Sequence, residues 1–98
     1  MNIPLAKQWV AALRSGKYKQ GKGKLRRGDE FCCLGVLCDL VAHDEWVGET
    51  FRQYAGTLPG SISEQVSVAH LRLATMNDFG KSFSEIADVI EAEIQKNL

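Results

Sequence analysis

Seven cations lie between Arg14 and Arg27, in a stretch that contains Gly16, Gly21 and Gly23 and no acid. Within it, Tyr18-Lys19-Gln20-Gly21-Lys22-Gly23-Lys24 sets flexible backbone amides, ammonium groups, a carboxamide and one aromatic ring side by side. Glycine-spaced amides can fold around an anion, and lysines bring point charges to it. A ring and a carboxamide suit the base or sugar that accompanies a phosphate. The chemistry expected is capture of a phosphate-bearing ligand. Lys17, Lys19, Lys22, Lys24 and Arg26 would neutralise it, the Gly21 and Gly23 amides would cradle it, and Tyr18 or Gln20 would meet the base or sugar. Asn77 and Asp78 add polar contacts if their turn folds against this loop. The same residues admit a plainer account, a solvated loop paired with acids from the C-terminal half, because charge runs usually are solvated faces.

The net charge of +0 conceals how completely the signs are separated. Residues 1 to 28 hold eight Lys/Arg and no acid, whereas residues 29 to 98 hold all twelve acids against Arg52, Arg72, Lys81 and Lys96. Other constellations are weaker. Gly80-Lys81-Ser82 has the ending of a P-loop, but Thr75 stands where its first glycine belongs. A stop-glycine followed by a capping box explains those residues more simply. Cys33, Cys38 and His43 step by five residues, a spacing that rotates each one away from the last on a helix, so no metal is expected. Asp39 and His43 are four apart and read as a helix-stabilising pair. His70 reads as a packed core histidine. With no Ser/His/Asp set and no paired carboxylates, the chain is not expected to be an enzyme or to need a cofactor.

The 98 residues make one domain, 1–98, with room for a single modest core. The expected class is mostly α, a small helical domain with a short β-hairpin or irregular basic loop between helices 1 and 2. Leu5, Ala6, Trp9, Val10, Ala12 and Leu13 recur at helical spacing and predict a first helix from about Pro4 to Ser15. Leu25–Arg27, a Gly28-Asp29 turn and Glu30–Phe31 form the candidate hairpin. Cys32 to His43 is apolar nearly all round, the mark of a buried central helix, and Gly35 within it implies close approach of a neighbour. The three cysteines read as small buried hydrophobes in a reducing cytoplasm. Thr50–Ala55 suggests a helical turn or two. Ser63 is expected to cap a helix running to Asn77. Ser82 and Glu85 form a capping box for a last helix burying Phe83, Ile86, Ala87, Ile90 and Ile94. No run is long and apolar enough to cross a bilayer.

Several phrases together resemble a family of small tailed-phage and prophage proteins. They are Trp9 with Ala12-Leu13-Arg14-Ser15-Gly16, then Tyr18 to Gly23, then Phe31-Cys32-Cys33-Leu34-Gly35-Val36-Leu37-Cys38-Asp39, and finally Asn77-Asp78-Phe79-Gly80-Lys81-Ser82-Phe83 leading into Glu85. Phe79 and Tyr54 depart from the pattern, which favours a small polar residue at the first and tryptophan at the second. The resemblance implies a protein acting in the cytoplasm of a bacterial host and carries no catalytic assignment. Phage accessory proteins of this size often work by binding, some by sequestering nucleotide immune signals and others by blocking a host defence protein. The expected partner is a phosphate-bearing small molecule, with homo-oligomer formation because so small a domain encloses a ligand most easily between copies. Direct inhibition of a host protein and non-specific nucleic-acid binding remain the alternatives.

Overall fold

In the computed structural model, which describes residues 1–66 and 68–98, five α-helices contribute to one core and two small sheets lie in the connections between them. The first helix, α1 (Ile3–Arg14), is capped by Asn2, whose Oδ1 accepts from the Leu5 amide at 3.1 Å. Its Ala6, Trp9, Val10 and Leu13 are buried. The last helix, α5 (Phe83–Lys96), starts at the expected capping box, with Ser82 and Glu85 satisfying each other's amides. The two helices share the largest interface in the molecule, zipped at its edge by Arg14, which pairs with Asp88 at 2.7 Å and also with Glu91. These are exposed pairs and contribute little to stability.

The cysteine-rich helix α2 (Cys33–Val41) passes through the middle, with every residue from Cys33 to Cys38 buried. Cys32 is its N-cap, its Sγ accepting from the Gly35 amide. Burial pushes the Cys38 thiol up to about 12 and raises Cys33 and Cys32 as well, so none is a ready nucleophile. Gly35 does what its place in the helix implied. A Cβ there would stand 1.9 Å from the Leu25 carbonyl oxygen. The approach brings that carbonyl to the Cys32 amide, which donates to it at 3.1 Å. Trp9, fully buried, donates its indole N–H to the Cys33 carbonyl at 2.9 Å, tying α1 to the start of α2.

Between α1 and α2 runs a three-stranded ribbon, β1 (Lys19–Gln20), β2 (Arg26–Arg27) and β3 (Glu30–Phe31), in the order β1-β3-β2. The hairpin expected around Gly28-Asp29 is present: Arg26 pairs with Phe31 and Arg27 with Glu30, antiparallel. Lys19 pairs with Glu30 from the other side, parallel. After a 3-10 turn at His43–Glu45 comes a second hairpin, β4 (Trp46–Val47) with β5 (Thr50–Phe51). Both hairpins close through a glycine at positive φ, Gly28 at 59° and Gly48 at 58°, the conformation that a tight reverse turn demands.

Three expectations are corrected here. Thr50–Ala55 is no helix: Thr50 and Phe51 form β5, and Phe51 and Tyr54 then exchange two backbone hydrogen bonds of 2.9 Å across a turn. The helix expected from Ser63 to Asn77 is two helices, α3 (Gly60–Val66) and α4 (His70–Asp78), and Ser63 lies inside the first. Ser67, within the expected span, lies outside the described residues. His70 begins α4 half-buried and is no member of the core.

Candidate functional site

The basic segment is held in place by one buried side chain. Asn77, at 0% exposure, is the only polar residue in the core among the described residues. Its Oδ1 accepts from Gln20 Nε2 at 2.9 Å and from the Cys33 amide at 3.2 Å, while its Nδ2 donates to the Gly21 carbonyl at 2.7 Å. Gln20 extends the net by donating to the Lys81 carbonyl at 2.8 Å and accepting from the Phe83 amide at 3.2 Å. The next residue on α4, Asp78, accepts from the Gly23 amide at 2.9 Å. The 77–78 turn therefore does fold against the loop. It serves as the loop's anchor.

The anchoring redefines the site expected from sequence. The Gly21 amide donates to the Phe31 carbonyl at 2.8 Å and the Gly23 amide to Asp78, so neither is left to cradle an anion. Gln20, Asn77 and Asp78 are likewise occupied within the chain. Tyr18 is packed edge-on against Phe31, with ring centroids 5.2 Å apart, and donates its hydroxyl to Asp39 at 2.6 Å. Burial and that carboxylate both raise its pKa, keeping the phenol protonated. These residues position the loop, and what they leave exposed is its charge.

The cations divide into two groups. Lys19 pairs with Glu30 at 3.7 Å, and Lys24 with Glu49 at 3.0 Å. Glu49 also accepts from the Gly28 amide at 2.9 Å, so one carboxylate from the β4–β5 turn clasps both the loop and the first hairpin. The Lys24 hydrogen bond is the main cause of its lowered pKa. Lys17, Lys22, Arg26 and Arg27 form no ion pair among the described residues, although Arg27 is near enough to Glu49 to help lower its pKa. Arg26 has the most internal contacts of the four. Its guanidinium lies 5.2 Å from the Phe31 ring centroid and 5.5 Å from that of Trp46, and its Nε donates to the Gly28 carbonyl at 2.7 Å. A guanidinium stacked this way keeps its planar fork preorganised for a carboxylate or phosphate.

Beneath Arg26 runs a ladder of edge-on rings from Tyr18 through Phe31 and Trp46 to Phe51. Asp39 fixes it, accepting from Tyr18, from the Trp46 indole at 3.0 Å and from His43 Nδ1 at 2.8 Å. Burial opposes ionisation of Asp39, but these three bonds prevail and draw its pKa below the ordinary 3.8. The Asp39–His43 pair is present as expected. Sequence reasoning missed that Asp39 also organises the aromatic ladder, as it missed Glu49 and Trp46, because all three act on partners distant in sequence.

Two surface hollows lie elsewhere. One of about 220 Å³ is lined by Lys7, Val10, Glu91, Ile94 and Gln95, and a smaller one sits between Ala69, Arg72 and Glu93. The class so defined is a small helical domain that displays a rigid, cation-bearing β-loop. Residues 1–65, which contain the whole loop and its aromatic support, match the model of a family described as a domain of unknown function (DUF8296), and the chain belongs to that family. No curated protein and no solved structure matches it.

Proposed function

We propose that this protein acts by binding, without chemistry of its own, and that the exposed cations of the 17–27 segment take a phosphate-bearing small molecule. The observation carrying this reading is the set Lys17, Lys22, Arg26 and Arg27: four charges that form no ion pair among the described residues, on a backbone already fixed by Asn77, Gln20 and Asp78. Within the segment, Lys19 and Lys24 are the cations that form ion pairs among the described residues. With the glycine amides occupied, side chains alone would hold the phosphate, Arg26 and Arg27 as forks and the lysines as point charges. In the tailed-phage setting that the sequence resembles, the ligand would be a nucleotide-like immune signal withheld from the bacterial host.

A second reading is supported by the shape of the site. The free cations sit on an open ribbon and its flanking turns, away from both hollows, a layout that suits the acidic surface of a host protein. Native mass spectrometry of the protein purified from bacterial cells separates the two. A retained nucleotide-sized mass supports sequestration and a retained host polypeptide supports direct inhibition. Bare protein that also binds no nucleotide added at millimolar concentration overturns the first.

A further inference from the structure

One of the contacts that hold the basic segment has the form of a bound anion. The Glu49 carboxylate, on the turn between β4 and β5, accepts through Oε1 from Lys24 Nζ at 3.0 Å and through Oε2 from the Gly28 amide at 2.9 Å. Arg27, on the strand that enters the Gly28 turn, adds its positive field at the same carboxylate. An ammonium, a backbone N–H and a guanidinium therefore converge on one O–C–O group, a donor set that equally suits phosphate. The clasp stands in water, with the Lys24 side chain 51% and that of Glu49 44% exposed. Exposed pairs contribute little to stability, so exchanging one anion for another there costs little. Gly28 has φ of 59°, and a Cβ built on it would meet nothing within 4 Å, so the space beside it is open.

We infer that Lys24, Gly28 and Arg27 form a phosphate subsite, and that Glu49 fills it as a built-in competitor which the ligand's phosphate displaces. The geometry selects phosphate over a second carboxylate. Both oxygens of Glu49 are engaged, one by Lys24 and one by Gly28, and Arg27 forms no ion pair among the described residues. Another carboxylate would repeat those two bonds and gain nothing. A phosphate repeats them with two oxygens, turns a third toward Arg27 and brings more negative charge to the same donors. The subsite rests on the reading of the 17–27 segment as a phosphate binder and adds one element to it. Lys24, ion-paired in the free protein, joins the site when the ligand enters. Occupancy by Glu49 reduces the fraction of open subsites, and the apparent affinity falls by that fraction. Glu49 thereby sets the ligand concentration at which the loop fills.

Calorimetric titration of pyrophosphate into wild type and variants, in about 0.15 M salt to screen distant charges, tests the inference. Glu49→Ala should bind about fivefold more tightly than wild type. Lys24→Gln should erase that gain in the E49A background. In wild type it should change affinity by less than about twofold, because there Lys24 merely exchanges one anion for the other. Asp29→Asn makes the same change of charge beside Gly28 at an exposed position without releasing a donor, and should stay within about twofold of wild type. Glu49→Gln keeps the length of the side chain and should also bind more tightly, which covers the case of E49A loosening the hairpin. In proton–nitrogen correlation spectra of wild type, the Gly28 amide should move on adding pyrophosphate and hold its position in acetate at equal concentration. E49A and E49Q no tighter than wild type, D29N as tight as E49A, or acetate shifting Gly28 as pyrophosphate does overturns the subsite and leaves the proposed function standing. Absence of both pyrophosphate and nucleotide binding in wild type and E49A overturns the two together.

Discussion

Replacing Asn77 by alanine removes the one side chain that joins the basic loop, the start of α2 and the end of α4. The change strands the Cys33 amide and the Gly21 carbonyl, and it takes one of two acceptors from Gln20 Nε2. Each buried group left unpaired costs about 1–3 kcal/mol. Two such groups, with a smaller share for Gln20, give a loss of about 3–5 kcal/mol. For a domain of this size each kcal/mol corresponds to about 4–8 °C in melting temperature, so Tm should fall by about 12–40 °C. Urea titration followed by circular dichroism measures the free energy directly. Asn77→Asp refines the test. It keeps Oδ1 for Gln20 and Cys33 but places a second carboxylate oxygen against the Gly21 carbonyl, where only a protonated acid can donate. The native state then favours the neutral form and raises the carboxyl's folded pKa above its unfolded value. Stability relative to wild type is therefore best in acid and is lost as pH rises through the folded pKa. A loss under about 1 kcal/mol for N77A, or an N77D penalty that does not shrink on acidification, would refute the assignment of Asn77 as the anchor.

Three further outcomes follow from the same geometry. Gly35→Ala drives a methyl to 1.9 Å from the Leu25 carbonyl oxygen, a backbone atom held by Cys32, and should leave little folded protein in a thermal melt. Gln53 has φ of 72° and Arg52 of 49°, conformations costly to any residue with a Cβ, so Gln53→Gly should raise stability by about 0.5–1 kcal/mol in urea titration. Because the folded pKa of Asp39 is depressed, its contribution is present above the ordinary 3.8 and is lost as pH falls through the folded value. Asp39→Asn should therefore destabilise the protein at neutral pH and flatten its acid-denaturation profile, read by the combined fluorescence of Trp9 and Trp46.

The elements governed by local chemistry were legible in the sequence. The Ser82/Glu85 capping box, the apolar face of α5, the Gly28 hairpin and the close approach at Gly35 all follow from neighbouring residues. What escaped was set at long range. Thr50 and Phe51 are extended because Trp46 and Val47 pair with them across Gly48, and no periodicity in so short a segment reports that. The division between α3 and α4 falls in a stretch whose apolar spacing satisfies helix and strand alike. The site was half legible. Charge clustering marked the loop whose cations stay exposed, and the contact with Asn77 and Asp78 was foreseen. The Gly21 amide is taken by the Phe31 carbonyl and the Gly23 amide by Asp78, 55 positions away, so the glycine cradle could not be judged from the loop alone.

The central claim is that the cations without internal partners are the ones that bind. Isothermal titration of a panel of mono- and dinucleotides into wild type and K17E/K22E/R27E, with matched thermal melts, tests it most directly. Salt-sensitive binding of at least one nucleotide to wild type, its loss in the variant, and an unchanged melt are the expected results. A variant that binds as wild type does, or one whose melt collapses along with binding, contradicts it.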